Sequence, residues 1–334
     1  RLLLMTKQVG FAIIGLGMGA NRAKLAASTP GSKLVCVCDL VEEKAKAIAA
    51  QYGCDYTTDM EKVFERDDVD VVGVMTPSGT HADIAIRAVK AGKNVFTTKP
   101  MDIKVEKCDA LIAAAKKAGV ILAVDFDCRY LEPYRRLAKF ISEGGLGKLI
   151  LADLQMKWYR DQAYYDGGFP PGWRKDLRYE GGSLANQGVH SLDLLLWWVG
   201  PVKEVYGRSG TLGHNIKTED ISVAILTFKN GAWGVIETTT CSYPDLGTVL
   251  EITGQNGTAI CRGGVEMLKV KDKPDLTFDS LPPQPGPSNI IEDMVSAVTK
   301  GTPVAVDGKE GRKSVQLFNA VYESSRTGKP VRIR

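Results

Sequence analysis

Through residue 126 the chain alternates short apolar runs with stretches of helical periodicity. Segments 9–14, 33–38, 69–75, 93–97 and 120–126 are rich in β-branched residues with little polar alternation, as strands buried on both faces require. Between them the pattern predicts a helix running to about Ser28, then helices over 41–52, 81–91 and 105–118. This βαβα order with short connections predicts an N-terminal, doubly wound parallel sheet of the α/β class.

The pattern changes after Phe126. A helix is predicted over 131–143, ended by Gly144-Gly145, and is followed by long strands over 148–159, 221–228, 232–240 and 248–253. Asn230-Gly231 and Asn256-Gly257 are hairpin signals, read as type I′ turns with positive φ at both positions. Helices over 191–199 and 290–299 would cover one face. The second half is therefore expected to be an α+β domain with a large, mostly antiparallel sheet, giving domains 1–126 and 127–334. No internal repeat is present.

Composition narrows the class. Two domains suit 334 residues, and 44% hydrophobic with 25% charged residues is ordinary globular composition. The net charge of +4 is dispersed, with Lys116-Lys117 and Arg135-Arg136 among the longest basic clusters, so no nucleic-acid partner is expected. Seven scattered cysteines without a C-x-x-C read as free, small hydrophobes in a reducing compartment. Residues 1–5 hold too short an apolar run for a signal peptide, and Met5 fits a natural start. With no apolar run of membrane-spanning length, a cytoplasmic location is expected.

The candidate chemistry begins at Gly15-Leu16-Gly17-Met18-Gly19-Ala20, between the first strand and its helix. Gly15 permits the tight turn, Gly17 the approach of a pyrophosphate, and Ala20 close helix packing; the helix N-terminus offers N–H groups to the phosphates. Asp39, followed by Leu40, ends the second strand and can bond the ribose hydroxyls while repelling a 2′-phosphate, which favours NAD over NADP. The alternative use of Asp39 is as a helix N-cap. The loops Thr76-Pro77-Ser78-Gly79-Thr80-His81 and Thr97-Thr98-Lys99-Pro100 follow later strands, at the sheet edge where open α/β sheets bind ligands.

The glycine turn, Asp39, Thr76-Pro77-Ser78-x-x-His81, Lys99-Pro100, Phe126-Asp127-Cys128-Arg129 and Gly181–Asp193 occur in that order. Together they resemble the Gfo/Idh/MocA family over nearly the whole chain. The resemblance implies a Rossmann domain followed by a substrate-binding domain that forms dimers or tetramers through its sheet. It implies that Lys99 reaches the nicotinamide and the reacting hydroxyl, that His190 is the family histidine, and that Asn186 stands where an aspartate is usual. It also brings Thr98, Pro100 and Arg129 toward cofactor or substrate. Thr98 replaces a usual glutamate, and Asn186 cannot titrate, so it can orient but not accept a proton.

Oxidising an alcohol requires loss of the hydroxyl proton as the hydride leaves. An ammonium at Lys99 suits the developing alkoxide, and an imidazole at His190 suits the proton. His190 and Asp193 share a helix face, but no third ligand accompanies them, and no metal is expected. Seven aromatics fall within Trp158–Tyr179, in a Gly- and Pro-containing stretch. Tyr159, Trp173 and Arg174 are candidates for stacking on and bonding a sugar, with a subunit interface as the alternative use; Trp197 and Trp198 are expected in the core. The chain thus reads as an NAD-dependent sugar or polyol oxidoreductase. Its rivals are a redox-neutral, NAD-using glycoside hydrolase or lyase and a non-catalytic sugar or dinucleotide sensor.

Overall fold

The computed structural model describes residues 8–333, so the reading of Met5 lies outside the described residues. These residues divide into two compact units. The first takes the chain up to Asp102, Glu106–Asp125 and Pro287–Gly311; the second takes Ile103–Val105, Phe126–Gly286 and the chain from Arg312 onward.

The first unit is built on β1 (Val9–Ile14), α1 (Gly19–Ser28), β2 (Ser32–Cys38), α2 (Glu42–Tyr52), β3 (Asp55–Thr57), α3 (Met60–Phe64), β4 (Val71–Val74), α4 (His81–Lys90), β5 (Asn94–Thr98), α5 (Val105–Ala118, its first residue lying in the second unit) and β6 (Leu122–Asp125). The strands form one parallel sheet in the order β3-β2-β1-β4-β5-β6, with the switch point where β1 meets β4. Strands β1 and β4 are buried throughout, which is why their sequences lack alternation. Gly73 in β4 is forced by packing, because a Cβ there would stand 2.3 Å from the Phe96 ring.

The second unit contains α6 (Glu132–Ser142), β7 (Leu149–Lys157), α7 (Gln162–Asp166), α8 (Val189–Val199), β8 (Val202–Gly210), β9 (Ile221–Phe228), β10 (Trp233–Thr239), β11 (Gly247–Gly254), β12 (Gly257–Cys261) and β13 (Val265–Val270). Helix α6 starts with a proline in its first turn and buries Tyr134, Leu137, Ala138 and Ile141, one face at helical spacing. After β13 the chain returns to the first unit as α9 (Ile290–Lys300), capped by the Asn289 side chain and stopped by Gly301 in the left-handed conformation. The long α10 (Gly308–Thr327) leads back to the second unit, which ends on β14 (Val331–Arg332).

Eight strands form the second sheet, in the order β13-β12-β11-β7-β10-β9-β8-β14. All pairs are antiparallel except β7 with β10. One face carries buried Leu154, Met156, Leu226 and Ile236. On the other, Ile225 lies opposite Tyr206 and Val235, and Trp233 opposite Leu151.

Both Asn-Gly pairs do sit between paired strands, but not as type I′ turns. Among the described residues Asp272 alone of the non-glycines has positive φ, and of the two glycines only Gly231 does. At the first site Asn230 Oδ1 accepts from the Ala232 amide and makes a wider loop. At the second, Gly257 already belongs to β12, where a Cβ would meet the Lys269 carbonyl oxygen at 2.3 Å. Its glycine serves close strand approach, not the turn.

Candidate active site

In the first unit the glycine turn leaves the C-terminal end of β1. Gly15 has φ +90°, and a Cβ there would lie 2.7 Å from the Met75 carbonyl oxygen, so only glycine is accommodated. Gly19 abuts Met75 and Ile13, which lets α1 lie close to the sheet; Gly17, by contrast, is exposed and has nothing within 4 Å of its Cβ position. That open space in front of the first turn of α1 is what a pyrophosphate needs. Leu16 is buried, whereas Met18 and Leu40 are exposed.

Asp39 fastens this turn. Its Oδ2 accepts from the Leu16 amide at 2.7 Å and its Oδ1 from the Val41 amide at 2.9 Å. The second bond closes an Asx turn before α2 and is not an N-cap, since Val41 itself holds the cap position. Each carboxylate oxygen has a further lone pair for a ribose hydroxyl.

Two more loops follow β4 and β5 at the same sheet edge. Thr76 and Thr80 bond through their hydroxyls at 2.8 Å, and Ser78–Thr80 form a 3-10 turn. His81 is fully buried beneath them, with Nδ1 2.8 Å from the Pro100 carbonyl and Nε2 2.7 Å from the Thr76 carbonyl. Both ring nitrogens face backbone carbonyls, so His81 ties the Thr76-Pro77-Ser78 loop to the Lys99-Pro100 loop. Burial holds its imidazole below the ordinary range, against the two carbonyls, which pull the other way. Thr98 and Lys99 are half-buried on this edge, and Thr98 lies opposite Asp125. A buried ion pair, Arg22 Nε to Asp125 Oδ2 at 2.6 Å, joins α1 to β6.

In the second unit a π-helical turn, Ser183–Gln187, leads into α8. Asn186 and His190 are both half-buried there, and the His190 ring meets Phe126 edge-on at 6.3 Å. Asn186 donates its amide to the buried Glu180. Arg129, expected at cofactor or substrate, is buried and bidentate to Asp193 at 2.7 and 2.9 Å, with its guanidinium 4.4 Å from the Trp197 ring centre. This ion pair ties Arg129 to α8. Trp198 is core, but Trp197 is only half-buried and forms this stacking surface.

The aromatic segment is partly helical, through α7 and the 3-10 turn Trp173–Lys175. Tyr164 is stacked by two guanidinium groups, Arg174 at 4.6 Å and Arg160 at 5.4 Å, and accepts from Gln187 at 3.0 Å. Arg174 also lies over Trp173, while the exposed Tyr159 packs against Tyr243.

Two carboxylates in this unit carry no sequence signature. Glu180 is one. The other, Glu219, is buried and accepts from Ser183 Oγ at 2.5 Å, the Leu184 amide at 2.6 Å and the Tyr322 hydroxyl at 2.9 Å. Burial outweighs these donors and pushes its carboxyl up to about 7. Because the folded value lies above the unfolded one, Glu219 stabilises the fold fully below about pH 4.5 and loses that contribution as pH rises through about 7. Urea unfolding of the parent and Glu219→Gln from pH 5 to 7.5 should therefore show the parent's stability falling relative to the variant by about 1 kcal/mol per pH unit. Parallel curves would show that this carboxyl does not titrate there.

Comparison with known proteins agrees with these features. Residues 9–126 match the "Oxidoreductase family, NAD-binding Rossmann fold" domain and residues 134–260 the "GFO/IDH/MocA C-terminal domain". Bacillus subtilis scyllo-inositol 2-dehydrogenase (NAD(+)) is 30% identical over 262 residues, 76% of this chain and 74% of that protein. The Bordetella pertussis WlbA dehydrogenase, solved with NADH and UDP-GlcNAcA, superposes with a TM-score of 0.88 at 28% identity, over 98% of this chain and 99% of that one. The Caulobacter crescentus aldose-aldose oxidoreductase, complexed with glycerol, gives 0.84 at 26% identity over 98% and 100%. With both domains matched in order and the glycine turn, Asp39 and the Lys99-Pro100 loop placed along one sheet edge, the chain belongs to the Gfo/Idh/MocA oxidoreductase family.

Proposed function

We propose that the protein is an NAD-dependent oxidoreductase acting on a secondary hydroxyl, or the corresponding ketone, of a sugar, sugar derivative or cyclitol. The observation that carries this reading is the sheet edge of the first unit, where the glycine turn, its Asp39 anchor and Lys99 follow the ends of β1, β2 and β5 in one parallel sheet. The glycine turn and Asp39 would hold the dinucleotide, whose nicotinamide supplies the hydride acceptor or donor. The first unit, which takes in Pro287–Gly311 as well as most of the expected domain 1–126, serves as the dinucleotide-binding domain, and the second binds substrate and assembles the oligomer.

The protein groups supply the rest. The Lys99 ammonium stabilises developing alkoxide charge, and His190 accepts the hydroxyl proton in oxidation and returns it in reduction. Asn186, held by Glu180, orients the substrate. Tyr159, Trp173 and Arg174 offer ring faces and hydrogen-bond donors of the kind that sugars take. The open face of the eight-stranded sheet, with Ile225 58% and Trp233 66% exposed, suits burial in a homodimer or homotetramer. Among the described residues no helix is long and apolar enough to cross a membrane, and a cytoplasmic enzyme fits the free cysteines.

The test is reduction of NAD⁺ and NADP⁺ against a panel of free sugars, glycosides, nucleotide sugars and inositols. Net NADH formation with at least one of them is expected, with NAD⁺ favoured over NADP⁺ by at least about tenfold, the order of one charge-assisted contact. Asp39→Asn should narrow that ratio. A parent preference for NADP⁺ would overturn the role given to Asp39, and failure of every polyol would overturn the substrate class.

A further inference from the structure

His214 and Asp220 lie on the connection from β8 to β9, and Cys241 lies just past the end of β10. The Asp220 carboxylate is fully buried and organises that connection, accepting from the amides of Leu212 at 2.8 Å and of Gly213 and His214 at 2.9 Å. His214 Nδ1 is 3.1 Å from Asp220 Oδ2 and 3.6 Å from Cys241 Sγ. The three donor atoms all lie within 4.8 Å of one another.

The other ring nitrogen decides how this cluster reads. His214 Nε2 is 2.8 Å from the Arg160 carbonyl. A carbonyl oxygen can only accept, so Nε2 carries the hydrogen and donates it. Nδ1 then presents its lone pair beside a carboxylate oxygen and the Cys241 sulfur, so nitrogen, oxygen and sulfur donors surround one point. The sulfur is a soft donor of the kind that zinc-class ions take. An imidazole whose second nitrogen donates to a backbone carbonyl is the usual orientation of a metal-bound histidine. Bond lengths of about 2.0–2.3 Å to zinc give tetrahedral edges of about 3.4 Å for N to O and 3.6 Å for N to S. The observed separations of 3.1 and 3.6 Å are close to these.

We propose that His214 Nδ1, Asp220 and Cys241 Sγ bind a divalent metal ion of the zinc class, with a fourth position open to water. On binding, the Cys241 thiol releases its proton to solvent, so affinity rises with pH. The ion would pin the β8–β9 connection to the end of β10. It would thereby fix the carbonyl of Arg160, whose side chain stacks on Trp158 and Tyr164.

Cobalt titration of the untagged, full-length protein after chelator treatment tests this. A single equivalent of Co²⁺ should bind with a thiolate-to-cobalt charge-transfer band and tetrahedral ligand-field absorption, and Zn²⁺ should displace it. Cys241→Ser, at an exposed position, should abolish the charge-transfer band; His214→Gln should weaken binding by at least about tenfold. In chelator Cys241→Ser should melt with the parent, which separates metal loss from misfolding. The absence of stoichiometric binding, or an unchanged band in Cys241→Ser, would overturn the proposal.

Discussion

Lys99→Ala should lower kcat by about a thousandfold with the best substrate of the panel while leaving NAD binding within a few-fold of the parent. Truncation removes the ammonium that develops its full value only as the substrate oxygen becomes negative, so the loss falls mainly on kcat, not on KM. Lys99→Arg keeps the charge but replaces a compact ammonium with a planar fork, and should recover little. His190→Ala should cost about 10²- to 10⁴-fold, and the double variant should be hardly worse than the poorer single one, because the roles proposed for the two groups belong to one proton-coupled event. Steady-state kinetics with cofactor titration by fluorescence separates these outcomes. Parent-like turnover by either single variant would remove that residue from the reaction.

The largest effect on stability is expected at Arg129 and Asp193. Both are nearly inaccessible, at 5% and 1% exposure, and they meet through two charge-assisted hydrogen bonds. Arg129→Met removes both hydrogen bonds to the buried Asp193 carboxylate and the stacking on Trp197; Asp193→Leu removes both bonds to the buried guanidinium. Each should destabilise the protein by about 3–5 kcal/mol. The combined Arg129→Met/Asp193→Leu variant removes both ends of the ion pair at once and should lose much less than the sum of the two. Urea midpoints of the four proteins close the cycle. Additive losses would show that the two side chains are not coupled and that α8 is held by its apolar contacts alone.

The parts legible in the sequence share a physical cause. Strands β1, β4 and β5 are buried on both faces, so their apolar runs stand out, and the glycines at 15 and 19 mark backbone that nothing larger could follow. Helix α10 was not foreseen. Its buried stripe interleaves Ser314 and Ser324 with Val315, Phe318 and Val321, and small buried serines read as surface. Strands β8, β12 and β13 are short or interrupted by charge, which hides their alternation. Lys99 and His190 were singled out as candidates through an ordered set of motifs. Glu180 and Glu219 were not, because a carboxylate satisfied by backbone amides and distant hydroxyls leaves no local pattern. The partnership of Arg129 with Asp193 spans 64 positions, and spacing offers no hint of it.

Helix α9 packs against α1, β1 and β2, the Val124 amide donates to the Val306 carbonyl, and Ala123 pairs with Asp307. The earliest-made sheet is therefore finished by some of the latest-made residues. During synthesis, at about 5–20 residues per second, its outer surfaces near β1 and β6 wait uncovered while more than 160 residues of the second unit emerge. A ribosome that stops before residue 287 releases a nucleotide fold with its final layer missing, a natural substrate for chaperones.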